Sequence, residues 1–482
     1  MGRKMKGKNI KEGKVYGKSK AQQPGRKQQY ADVGIKLDLG TLRASGVDTI
    51  AVAFPDQCGR LLGKRLPIDY FGAQMEREGL LHVCNYLLTT DIELEPLQGF
   101  ELASWEKGYG DFALQPDPAT LRLTRWYPGG AIVICNLLHE DGRPVEQSPR
   151  RILERQVSIF NERGLLPKMA SELEFYLFKG TYDEMAARSY RDMVPSTRYI
   201  IDYSIQGTSG DEEFLRKVRS AMTEARIVVE GTKGEWGKGQ HELNLEYCDA
   251  IEMADRHIIF KDGLRRIAIN SGISATFMAK VSHEMAGSSC HIHVSMKDDK
   301  GRNAFWDDVT EGPSAFFRSF LAGLMAHTQS LTLFFAPTIN SYKRYRASTF
   351  APVCIAWGSD NRTCGFRTVG HGQSFRIENR IPGADVNPYM AFAAMLAAGL
   401  DGVERELEPP EPISRNAYLM DEVPRVPASL REAIDAMEAS EFPRRAFGDE
   451  VINHYLRLAK LEYQNFSGKV TDWELIRYFE RG

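Results

Sequence analysis

SELEFYLF, residues Ser171 to Phe178, places Glu172 and Glu174 at alternate positions in a run otherwise rich in large apolar residues. Alternation is strand spacing. With a side-chain period of two and a rise of ~3.3 Å per residue, the two carboxylates fall on one face about 7 Å apart, while Leu173, Phe175 and Leu177 take the other. Acids so placed repel each other, and burial raises their pKa values, unless positive charge lies between them. A divalent cation meets both needs.

Alone, the pair also fits the solvated side of an edge strand, but three later stretches repeat the design. QHELNLEY (Gln240–Tyr247) sets Gln240, Glu242, Asn244 and Glu246 opposite Leu243, Leu245 and Tyr247, with Glu235 just upstream. CHIHVSM (Cys290–Met296) sets His291, His293 and Ser295 opposite Ile292 and Val294. FRIENRI (Phe375–Ile381) sets Arg376, Glu378 and Arg380 opposite Ile377 and Ile381. Four strands thus carry charge on the side that faces a site and grease on the other.

At 482 residues the chain can bury a large core in more than one domain. Its 43% hydrophobic and 26% charged residues give the balance of a soluble globular protein, and no apolar run of about 18 residues exists to span a bilayer. A net charge of −2 argues against nucleic acid as an obligatory partner. The seven cysteines are scattered and form no Cys-x-x-Cys pair, which reads as reduced thiols in a cytoplasmic protein. Strand alternation turns Cys290 toward the core.

Residues 1–29 hold ten Lys or Arg, one Glu and almost nothing to bury, the composition of a disordered tail. From Asp48, DTIAVAFPDQCGRLLGKRLP reads as a hairpin, and the strand-like runs up to GGAIVICNLL complete a small β domain over 30–140. Ser148-Pro149 opens a helix that Gly164 ends. Residues 182–203 look irregular. Helical periodicity returns at Asp211–Glu224, Met253–Asn270, Pro313–Leu333 and after Asn387-Pro388, and 141–482 reads as one larger domain.

The inverted strands gather Glu172, Glu174, Glu235, Glu242 and Glu378 as oxygen ligands and His291 as a nitrogen ligand. Hard carboxylates with one imidazole suit Mg²⁺ or Mn²⁺ better than zinc, and so many acids call for two or three ions. Arg344, Arg346, Arg362, Arg367, Arg376 and Arg380 crowd the same stretch among aromatic residues. Arginines around metal ions make sense when polyphosphate lies between them, which points to phosphoryl transfer. No phosphate-binding loop or dinucleotide fingerprint is present, so the nucleotide site has another architecture.

SELEFYLF, EWGKGQHE, GSSCHIHVS, NSYKRYRASTFAP, DNRT and RIENRIPGADVNPY, in this order, resemble the signature stretches of the glutamine synthetase family, close to type I. The resemblance implies an α+β fold: a small N-terminal β-grasp domain, then a catalytic domain with a curved antiparallel sheet flanked by helices. It also implies a homo-oligomer, commonly a dodecamer of two hexameric rings, with sites between subunits. Glu174, Glu235 and Glu242 match the ligands of one metal ion and Glu172, His291 and Glu378 those of another. Arg344 and Arg380, with Gly287, fall where the family holds glutamate. Arg362 matches the arginine on the transferred phosphoryl group, and His293, Ser295, Arg367 and Arg376 match nucleotide-side residues.

The departures from the family pattern concern the nitrogen donor. Type I enzymes carry a Glu six residues beyond the arginine of NSYKR, where it helps receive ammonium; this chain has Phe350. Ala286-Gly287 replaces Asn-Gly, and no neighbour-facing Asp is recognisable unless Asp91 substitutes. An apolar ring in place of a carboxylate suits a larger, partly apolar amine. The motif form resembles glutamine synthetase-like γ-glutamyl-amine ligases, so the expected reaction joins glutamate to a polyamine or alkylamine at the expense of ATP. Glutamine synthesis from ammonia, or a non-catalytic ring protein, are the alternatives.

Overall fold

Alternating apolar residues build two sheets. The computed structural model describes residues 39–347 and 349–482; the basic stretch 1–29 lies outside the described residues. The first sheet comprises β1 (Thr49–Pro55), β2 (Leu61–Pro67), β3 (Leu81–Cys84), β4 (Asp111–Pro116), β5 (Arg122–Leu123) and β6 (Gly130–Leu138), in the order β2-β1-β6-β4-β3 with β5 also on β6. β1 and β6 run parallel and the other pairs antiparallel. The expected β1–β2 hairpin forms because Asp56, fully buried, accepts from the backbone N–H of Cys58 and Arg60 and pairs with the Arg60 side chain.

The second sheet comprises β7 (Leu165–Lys179), β8 (Val229–Gly234), β9 (Gln240–Leu245), β10 (Cys248–Asp249), β11 (Ile273–Thr276) and β12 (Cys290–Asp298). A two-residue ribbon follows, β13 (Trp306–Asp307) with β14 (Gly312–Pro313), then β15 (Trp357–Ser359), β16 (Phe366–Val369) and β17 (Arg376–Asn379). Its order is β15-β16-β17-β12-β7-β9-β8, with β10 and β11 also on β7. All neighbours are antiparallel except the edge pair β15–β16. β7, which contains SELEFYLF, is the strand on which the others are assembled.

The apolar sides of these strands are buried as their alternation requires: Leu173, Phe175, Leu177, Leu243, Cys290, Ile292, Val294 and Ile377 are all inaccessible. Beneath them Phe175 meets Phe277 at 5.7 Å between ring centroids, and Phe277 meets Phe260 at 6.0 Å. Two details differ from the sequence reading. β9 stops at Leu245, so Tyr247 is exposed rather than part of the core, and the stretch after β7 contains a short helix, Tyr182–Ala187, closed by a capping box between Thr181 and Glu184.

Helices Pro149–Asn161 and Ala250–Asn270 pack beneath β7. Helices Ala315–Phe335 and Pro388–Glu404 pack against each other so closely that a Cβ on Gly323 would stand 2.1 Å from the Ala398 carbonyl oxygen. Asn387 caps the second of these through Tyr389 N–H, as Asn-Pro at that position leads one to expect.

Both sheets belong to one compact unit, Leu39–Gly482. The Asn387 amide donates to the carbonyls of Asp56 and Gln57 in the β1–β2 turn. Arg150, 3% exposed, reaches Asp117 beside the first sheet at 2.7 Å and Asp255 on helix Ala250–Asn270 at 3.2 Å. All seven cysteines are free, and among the described residues no helix is long and apolar enough to cross a membrane.

Candidate active site

Strand register brings the charged residues together. Glu172 stands opposite Asn244 and Glu174 opposite Glu242 across β7 and β9. His291 faces Glu172 across β12 and β7, His293 faces Glu378 across β12 and β17, and Glu378 faces Arg367 across β17 and β16. Partners opposite one another in a sheet share a face. The acids therefore lie above the sheet because every strand commits its apolar residues below it.

Glu172, Glu174, Glu235, Glu242, His291 and Glu378 line a cavity of about 890 Å³ together with Gly287, Arg344, Phe350, Arg362, Arg367 and Arg380. A second cavity of about 400 Å³ shares Glu172 and Asn244 with it and contains His293, Ser295 and Arg376. Arg367 parts from that trio. It lines the larger cavity and forms a 2.8 Å pair with Glu378 and a second contact with Asp360.

Hydrogen bonds fix the side chains. His293 Nδ1 accepts from Arg376 Nε at 3.1 Å, which leaves the His293 proton on Nε2, 2.9 Å from Glu172. His291 Nδ1 lies 3.2 Å from Glu172 and 3.6 Å from Glu378, while its Nε2 is buried without a partner. Glu174 accepts from Ser289 N–H at 2.8 Å and from the Gln240 amide at 2.9 Å. Arg344 donates to the carbonyls of Arg380, Ile381 and Pro382, with only Nε unpaired. A Cβ at Gly287 would come within 2.5 Å of the Arg344 side chain, so glycine is what allows the 287 peptide to close over it. Arg362 projects from the wall, half exposed, 3.9 Å from Asp360.

Electrostatics sort the acids into two kinds. Burial opposes ionisation of Glu172 and Glu378, yet His293 and His291 hold Glu172 well below the usual carboxylate range, and Arg380, followed by His291, holds Glu378 at about 2. Burial, reinforced by Glu235, pushes Glu174 up, and burial with the charge of Glu172 pushes Glu242 up. His291 is lowered to about 4 by burial and by Arg380, so its imidazole is neutral at ordinary pH with a lone pair to offer. The cluster is short of positive charge on its Glu174–Glu242 side.

Donor geometry matches that deficit. Glu172, His291 and Glu378 each present one ligand atom, all within 4.8 Å of one another, and Glu174, Glu242 and His291 form a second such group. The orphaned His291 nitrogen and the uncompensated carboxylates fit hard divalent cations. Glu235 stands outside both groups, paired instead with Lys233, whose ammonium is also 3.7 Å from Glu242.

Sequence reading gave no role to Lys233, Gln240 or Tyr176. Lys233 alternates with Glu235, and that spacing was the available signal. Gln240 sits on the charged face already identified, but its bridge from Glu174 to the Gly287 carbonyl (3.0 Å) depends on a loop from elsewhere. Tyr176 donates to the Ala286 carbonyl at 2.9 Å and supports the same loop. Asp91, considered as a stand-in for the neighbour-facing acid, accepts from the backbone N–H of Glu93 and Glu95 and so organises its own turn.

Comparison with known proteins agrees with this geometry. The glutamine synthetase catalytic domain matches residues 146–478. A γ-glutamylethanolamide synthetase of Streptomyces coelicolor, GlnA4, is 46% identical over 445 residues, covering 92% of this chain and 95% of that protein. A glutamate–isopropylamine ligase of a Pseudomonas species is 37% identical over 90% of this chain and 95% of its own length. Among solved structures, an ADP complex of GmaS superposes with a TM-score of 0.80 at 27% identity, covering 92% of this chain and 99% of the other. Sheet order, the acid and arginine wall and full-length similarity converge, and the chain belongs to the glutamine synthetase family.

Proposed function

We infer that the protein is an ATP-dependent ligase that joins the γ-carboxylate of glutamate to an organic amine. The observation that carries the choice of amine is Phe350: its ring stands on the wall of the charged cavity, where type I relatives place a carboxylate. Similarity to one protein named for an ethanolamide product and another named for ligating isopropylamine supports the same choice.

The reaction has two steps. The γ-carboxylate of glutamate takes the γ-phosphoryl group of ATP, and the amine then displaces phosphate from γ-glutamyl phosphate. Arg344 and Arg380 bind the carboxylates of glutamate, and the Gly287 backbone contacts its amino group. Arg362 neutralises the transferring phosphoryl group, and its half-exposed side chain has room to reach it. His293, Ser295 and Arg376 hold ATP from the smaller cavity, with Arg367 at the border. Glu174, Glu235 and Glu242 would hold one Mg²⁺ or Mn²⁺, and Glu172, His291 and Glu378 another, with two or three ions per site. Such ions supply Lewis-acid polarisation of phosphate oxygens. Glu378 also links the acids to Arg367 and Arg380 and so sets where the arginines stand.

The remaining assignments are part of the same proposal. Residues 30–140 form the β-grasp domain and 141–482 the catalytic domain. The protein works in the cytoplasm as a dodecamer of two hexameric rings with sites between subunits.

The test is phosphate release from ATP and glutamate across ethanolamine, isopropylamine, putrescine and ammonia. Ammonium needs anionic or acceptor groups to replace its water, whereas an alkylamine gains ~0.8 kcal/mol for each methylene buried against an apolar wall. At least one organic amine is therefore expected to exceed ammonia in kcat/KM by about tenfold or more. Phe350→Glu should narrow or invert the ratio. Ammonia emerging as the best substrate, with no gain in Phe350→Glu, would return the protein to ordinary glutamine synthesis.

A further inference from the structure

Phe350 does not stand alone on the cavity wall. Its ring meets that of Trp236 nearly edge to face, with centroids 6.3 Å apart and planes at 64°. The residues come from loops over a hundred positions apart and both line the large cavity. Trp236 is 56% and Phe350 54% exposed, so the pair presents an open apolar surface in a cavity otherwise dominated by carboxylates, guanidinium groups and ammonium groups. Adjacent exposed rings in such surroundings mark a place where something apolar binds.

Both rings are held by built backbone. The Trp236 turn is closed by Gln240, which accepts from Gly237 N–H through its side chain at 2.9 Å and from Glu235 N–H through its carbonyl at 2.9 Å. Phe350 has a φ of 58°, in the left-handed region that a ring-bearing residue rarely enters. Neighbouring contacts retain that conformation: Arg346 donates to the His283 carbonyl at 2.8 Å, Thr349 to the Arg346 carbonyl at 2.6 Å, and Tyr418 to the Ala351 carbonyl at 3.1 Å. Strain held in place from both sides at a cavity mouth is characteristic of a functional position.

Charged groups surround the shelf. Glu235, next to Trp236, is already paired with the Lys233 ammonium, which also lies 4.6 Å from the Tyr203 ring centroid. Asp202, Glu230 and Glu284 line the same cavity, so the two rings are the apolar part of a charged wall. Resting on the ligase reading above, we propose that Trp236 is a specificity-determining residue: with Phe350 it forms an apolar shelf for the carbon chain of the organic-amine acceptor.

Steady-state kinetics of Trp236→Ala and Trp236→Phe test the assignment. Trp236→Ala should lower kcat/KM for isopropylamine about tenfold, the effect of withdrawing roughly two methylenes of contact. Ammonia, the KM for glutamate and hydroxylamine trapping of the acyl phosphate should be unchanged, and Trp236→Phe should recover most of the loss. Equal losses for ammonia and isopropylamine, or no loss for either, would overturn the role of Trp236. Hydroxamate formation with no coupling of any organic amine would instead remove the ligase reading, and the shelf with it.

Discussion

Arg362→Ala should suppress formation of γ-glutamyl hydroxamate from ATP, glutamate and hydroxylamine by about 10³-fold or more, the scale on which an arginine stabilises a transferring phosphoryl group. Hydroxylamine intercepts the acyl phosphate directly, so the assay reads the first chemical step and is indifferent to the acceptor amine. The structure makes the experiment clean. Arg362 is half exposed and, among the described residues, its ion pair is with Asp360 at 3.9 Å. Pairs of that kind contribute about 1 kcal/mol or less, so the variant should melt with the unmodified protein. Arg367 would be a poor choice, because its removal uncovers the buried Glu378. Undiminished hydroxamate formation in Arg362→Ala would take the residue out of the mechanism.

Glu242→Gln should abolish turnover while leaving the metal-free protein as stable as before or more stable. Glu242 is 3% exposed, faces Glu174 across the sheet and is disfavoured as an anion by burial and by Glu172. An amide of the same shape removes that conflict and costs only a 3.7 Å contact with Lys233. The expected change in the metal-free state is roughly 1 kcal/mol in favour of the variant. Mg²⁺, which stabilises the native state by mass action when it binds, should raise the melting temperature of the unmodified protein and lose most of that effect in Glu242→Gln. A variant that turns over, or that gains as much from Mg²⁺ as its parent, would show that Glu242 is not a ligand.

What could be read from sequence was whatever strand alternation carries. Glu172 and Glu174 against Leu173 and Phe175 fixed a face, and three more strands of the same design implied a shared site. The structure adds the register, which alternation leaves open: that Glu242 rather than Asn244 faces Glu174, and that His293 faces Glu378. Residues recruited through loops were harder to anticipate. Trp236 and Phe350 meet only because two separate turns converge, and Lys233 reaches Glu235 just past the end of β8. Arg344 was expected to face substrate, yet most of its donors hold the backbone of Arg380 to Pro382. A guanidinium offers several donors, and sequence does not say how they divide between fold and ligand.

The reach of Arg150 bears on whether this chain can be taken apart. One guanidinium touches Asp117 beside the first sheet, Glu154 on its own helix and Asp255 beneath the second sheet, and Tyr389 donates to the same Asp255. Removing the arginine would strand an almost inaccessible carboxylate, a loss of about 3–5 kcal/mol. The N-terminal sheet is therefore a poor module for exchange between relatives, since a graft lacking Asp117 and Asn136 would leave Arg150 with half its partners. Calorimetry should accordingly show both sheets of a subunit melting in one transition, and two resolved transitions would mean that the halves can be recombined freely.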